Sequence, residues 1–127
     1  MYKLVVILIL TVFANYACAE QMATLEQCEA FAKFQVAKNY LNMGKGRNER
    51  ENKMIEFQYN FFIGLGNDVV TKASKLDGYN GDIFDSKSNI LLNIIIDDLN
   101  KNKVNFEQIA KSSYKCADDL GFTLKPR

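Results

Sequence analysis

Histidine is missing from all 127 residues. Its absence removes Ser-His-Asp and Cys-His nucleophilic sites, together with the commonest zinc ligand. Excess charge is nearly missing as well, with 16 basic residues against 15 acidic ones. A chain without surplus positive charge is not built for non-specific nucleic-acid binding or for an electrostatic hold on a membrane surface. Asparagine is frequent, yet no Asn-x-Ser/Thr triplet occurs, so nothing marks a glycosylation site. Proline occurs once, at Pro126, and neither an internal repeat nor a low-complexity tract divides the chain.

Several chemistries fail on spacing. Gly64-Leu65-Gly66 lacks the Lys-Ser/Thr of a phosphate-binding loop and has no strand before it. The turn that begins at Asp77, with Asn80, Asp82 and Asp85, fails as a calcium loop. Tyr79 takes its third position, where an oxygen ligand is needed, and Ser88 takes its twelfth, where a glutamate is needed. The neighbouring pairs Asp97-Asp98 and Asp118-Asp119 diverge by about 100° around a helix and cannot converge as acid and base. They read as solvated faces. No catalytic residue, metal or cofactor is expected, and the chain reads as a non-enzymatic protein.

What is present begins with an address. Lys3 gives a short positive start, Leu4 to Phe13 is apolar except for Thr11, and Ala17-Cys18-Ala19 offers small residues at a cleavage site. This is the three-part pattern of a secretory signal peptide over residues 1–19, too short for a membrane span. A lipid anchor on Cys18 is the alternative, but Asn15 stands where that signal wants an aliphatic residue. The expected mature domain covers residues 20–127 and is neutral, because Lys3 leaves with the signal. It works in a periplasmic or secreted setting. Its 108 residues suffice for one core.

Export also shapes the reading of the cysteines. With Cys18 in the signal, Cys28 and Cys116 remain, and an even number in a small exported domain predicts one disulfide. A loop of that length contributes roughly 4 kcal/mol in the chain-entropy picture, less any strain.

Apolar spacing predicts four helices. Thr24-Leu25-Glu26-Gln27 resembles a capping box, and an apolar stripe from Leu25 to Met43, ending at Gly44, predicts the first helix over 24–43. Asn48 with Glu51 opens the second, which runs to about residue 76. Its broad stripe, widened by Phe57, Tyr59 and Ile63, marks it as the central, most buried helix. Gly64 and Gly66 inside it predict close packing or a kink; the other reading is a break that offers backbone groups to a partner. The third is expected from Ser86 to Asn100, with Ile90, Leu91, Ile94, Ile95 and Leu99 inside. Asn105 with Gln108 starts the fourth, which stops at Gly121, and Pro126 seals the tail. The predicted fold is all-α, a four-helix bundle-like single domain whose disulfide joins the first and last helices.

Function is then left to the surface. Lys45, Arg47, Arg50 and Lys53 surround the first inter-helix loop, either as a solvated turn or as a positive patch facing an acidic partner. Tyr79, Ile83 and Phe84 sit in a polar loop, either as a binding edge or as a lid on the bundle's end. A protein partner is expected, with no nucleic acid and no membrane span; a second copy of the chain is also open as a partner.

The layout resembles known families. The signal peptide, a cysteine in the first helix, Phe61-Phe62-Ile63-Gly64 ahead of a polar loop, and a last helix ending Ala117-Asp118-Asp119-Leu120 resemble the Tai-type immunity proteins of type VI secretion and the HdeA-like acid-stress proteins. Asn93 to Leu120 is similar to their closing segment. The resemblance implies a periplasmic protein that neutralises a delivered toxin, or else an acid-stress chaperone. For the second, fifteen carboxylates without histidine would swing the neutral domain to about +15 in acid.

Overall fold

The computed structural model describes residues 2–124, with side chains from Ala19 onward. Pro126 and the side chains of residues 1–18 of the proposed signal segment lie outside the described residues. Four helices follow one another: α1 (Tyr2–Leu41), α2 (Glu49–Ser74), α3 (Gly81–Asn100) and α4 (Phe106–Asp119). No strand occurs among the described residues, and the Cys28–Cys116 disulfide joins α1 to α4 with Cα atoms 5.6 Å apart. The chain forms the expected all-α, bundle-like fold.

Asparagine starts three of the helices. The side chains of Asn48, Asn80 and Asn105 accept hydrogen bonds from the backbone N–H of Glu51 (2.9 Å), Ile83 (3.1 Å) and Gln108 (2.8 Å). Gln108 returns the favour by accepting from the Asn105 N–H at 2.9 Å, completing a capping box. Gly44 at φ +74° takes the left-handed position that ends α1.

Two boundaries differ from the sequence reading. Thr24 does not cap a helix; its hydroxyl donates back to the Glu20 carbonyl at 3.0 Å inside a helix already under way. No glycine or proline separates Tyr2 from Leu41, so nothing local stops the helix from continuing through. α3 begins five residues earlier than expected, at Gly81, because Asn80 makes a better start and Asp82 favours the first turn's positive end. Ile83 and Phe84 are therefore helical, not loop residues.

The hub is α1 and not α2. Leu25, Cys28 and Ala32 are buried on one side of α1, while Ala30 and Phe34 are buried on another. The other three helices pack chiefly against it. α2 buries one row, Phe62, Leu65, Val69 and Ala73, and leaves the flanks of its wide stripe half-covered or open. A helix with one main neighbour cannot hide an apolar sector much wider than the contact.

Two features lock the layers. Gln35 and Ser113, both buried, share a hydrogen bond of 3.2 Å between α1 and α4. Ser113 also donates to the Ile109 carbonyl at 2.7 Å, so this polar pair is satisfied inside the core. The α2 backbone is continuous through both glycines. At Gly64 a methyl group would come within 2.8 Å of the Phe122 ring, so its bareness lets the C-terminal tail lie against α2. Close packing is the reading that holds, and the exposed break is not formed.

Candidate functional site

The first inter-helix loop presents the four predicted cations, all exposed, but they are not equivalent. Arg47 is turned onto the first turn of α2. Its backbone N–H donates to Glu51 at 2.6 Å, and its guanidinium meets the same carboxylate at 3.0–3.1 Å. These bonds hold the Glu51 carboxyl below its ordinary range. Lys53 pairs with Glu49 at 3.3 Å. Lys45 and Arg50 have no ion pair among the described residues, so the loop offers two free cations rather than four.

Beside that loop the structure places a patch that the sequence reading assigned to the core. Arg50, Met54, Phe57 and Phe61 recur every three or four residues and share one face of α2. Met54 is 53% exposed and Phe57 55%, while Phe61 is half-buried. Phe57 stacks on Phe61 with centroids 6.3 Å apart. Phe61 in turn lies 5.3 Å from Phe122 and 5.5 Å from Tyr114, whose phenol is pushed up by burial. Rings from α4 and the tail thus brace the half-buried end of the row at Phe61, and the exposed Phe57 rests on that end. Tyr40 and Leu41 at the end of α1, and Met43 just beyond it, are also exposed, where the apolar spacing predicts Tyr40 and Met43 inside. Only the excess width of the apolar sector on α2 announces this patch in the sequence.

The second predicted surface does not form as expected. Phe84 is 4% exposed and packs against Tyr79 at 5.8 Å as part of the core. These two rings close the bundle's end, in keeping with the lid reading. Ile83 alone stays outside, at 54% exposure. Phe84 therefore leaves the set of partner-facing residues, while Tyr79 is half-buried against it.

On the other edge of α2, Tyr59, Ile63 and Val70 face Val36 and Tyr40 of α1 across a groove of about 420 Å³. Glu29 and Lys33 also line it. The Lys33 ammonium donates to Asp85 (2.6 Å), Ser88 (2.8 Å) and Asn89 (2.9 Å) on α3. Its neighbour Glu29 keeps one buried oxygen, Oε2, without a hydrogen-bond partner. Burial pushes this carboxyl up from its ordinary value against the pull of Lys33, and Asp85 adds to the rise.

No family model, curated protein or solved structure matches this chain.

Proposed function

We propose that this chain is an exported, non-enzymatic helical module that acts by binding another protein, as a periplasmic immunity factor against a delivered toxin. The observation that carries the reading is the braced row Met54–Phe57–Phe61, with Arg50 and Lys45 free beside it. Exposed aromatic and methionine side chains on a rigid element are the raw material of a binding hot spot. Their support from below lowers the ordering cost of association, which is where preorganised surfaces gain affinity. The two free cations suit an acidic rim on the partner. The signal-like N-terminal segment and the resemblance of the layout to Tai-type proteins support the immunity role.

A second reading, an acid-stress chaperone, has its own observation. Among the described residues only two ion pairs link different helices, Lys33–Asp85 at 2.6 Å and Lys87–Glu26 at 4.0 Å, and both tie α1 to α3. Protonating carboxylates in strong acid removes these ties together and would loosen one helix preferentially.

Affinity capture from periplasmic extract at pH 7 tests the lead reading, with the native protein, Phe57→Asp and reduced protein compared. One partner retained by the native protein and lost with Phe57→Asp supports it. Equal capture by both proteins removes the α2 row from the account. Suppression of client aggregation near pH 2–3, with release on neutralisation, would put the chaperone reading first.

A further inference from the structure

The helix α3 carries a second, outward row whose isoleucines nothing in the fold covers; of its charged members, Lys87 reaches Glu26 of α1 at 4.0 Å, and Asp97 and Lys101 pair along the helix at 2.8 Å. Ile83, Lys87, Ile90, Ile94, Asp97 and Lys101 follow one another at spacings of four, three, four, three and four residues. That is the spacing of a coiled-coil seam, repeated over nearly three heptads. A seam inside the bundle would be buried, yet Ile83 is 54% exposed, Ile90 60% and Ile94 51%. The core of the fold uses the adjacent Phe84 and Ser88 instead.

We propose that a second copy of this chain covers the row, with two α3 helices pairing antiparallel about a two-fold axis level with residue 92. The sequence of the row fixes both the occupant and the register. With the axis at 92, Ile90 lies opposite the Ile94 of the other copy, and the reverse, so four isoleucines meet in two central layers. The next layers outward set Lys87 against Asp97, and the outermost set Ile83 against the aliphatic stem of Lys101. Opposite charges therefore meet on both sides of the apolar centre. An antiparallel seam pairs each position with the alternate position of its partner, and all six residues obey that rule.

Other arrangements do worse. A parallel pairing brings Lys87 onto Lys87 and Asp97 onto Asp97. Sliding the antiparallel register by one heptad either way puts Lys87 on Ile90 or Asp97 on Ile94. Only the axis at 92 satisfies apolar and charged layers together, which is how an interface gains specificity. The flanks bring no like charges together, since Asn93 meets Asn93 and Ser86 meets Asn100. A two-fold pairing is also closed, so it stops at a dimer. The small seam makes this an exchanging dimer, at the low end of interface sizes.

Sedimentation velocity over a concentration series tests this on the full, exported, disulfide-bonded chain. The native protein is expected to shift from monomer to dimer with rising concentration. Asp97→Lys alone and Lys87→Asp alone should each weaken self-association by about tenfold or more, because each sets like charges in two layers. Mixing these two variants should restore dimerisation, as a heterodimer whose two charged contacts are both complementary. Ile90→Asp should remain monomeric while its circular dichroism matches the native protein. A native protein that is monomeric throughout overturns the proposal. So do single charge variants that dimerise as the native protein does, or a mixture with no gain over its components.

Discussion

Glu29 concentrates a conflict that no reading of the sequence would locate. One of its oxygens is buried without a donor beside Gly66, while the lysine one turn on has turned to α3. Because the folded pKa is raised, this carboxyl subtracts stability at neutral pH and returns it as pH falls through the folded value toward the unfolded one. Glu29→Gln should therefore raise the melting temperature at pH 7 by a few degrees. The difference from the native protein should close below about pH 4. A variant that melts lower than the native protein at pH 7 would show that the charge is needed there. Gly64 makes the opposite kind of point, since its role is legible once Phe122 is placed. Gly64→Val should cost roughly 1–3 kcal/mol by pushing that ring away, measured by urea unfolding. The caps Asn48 and Asn105 were readable from short-range chemistry alone, whereas Asn80 read as a turn residue and its helix start was missed. Glu29 and Gln35 were not, because both take their meaning from other helices.

At the level of helices, α4 was the most legible and α1 the least. The start of α4 rests on Asn105 and Gln108, three residues apart, so local sequence contains the whole motif. Asn105→Ala should cost about 1 kcal/mol, read from the same unfolding curves. The upstream boundary of α1 failed because Thr24 looks like a cap but lies in a run with nothing to break a helix. The rank of α2 failed for a different reason. Apolar width overstates depth of burial here, because Met54 and Phe57 lie on an uncovered flank and Ile63 lies beside a groove. The disulfide between α1 and α4 followed from count and compartment, without geometry. Replacing Cys28 and Cys116 by serine should lower stability by roughly 2–4 kcal/mol and leave the helical spectrum intact. Loss of the helical signal would mean that the core cannot hold the bundle unaided.

For the molecule as a whole, the core is arranged around α1, and among the exposed apolar side chains two outward rows stand out, one on α2 and one on α3. The rows differ in character. The one on α2 is aromatic, braced by Tyr114 and Phe122 and edged with free cations, which suits a foreign partner. The one on α3 is aliphatic and self-complementary in charge, which suits its own copy. Among the described residues no helix is long and apolar enough to cross a membrane, and no group of His, Cys, Asp or Glu side chains could hold a metal ion. The exposure of both rows became visible only once the hub was known, since periodicity alone cannot separate a covered stripe from an open one. Hydrogen–deuterium exchange at pH 7, comparing the free protein with the complex recovered by affinity capture, tests the central claim most directly. The account predicts new protection over residues 43–62, with α3 protected equally in both samples. Unchanged exchange over 43–62 in the complex would contradict it.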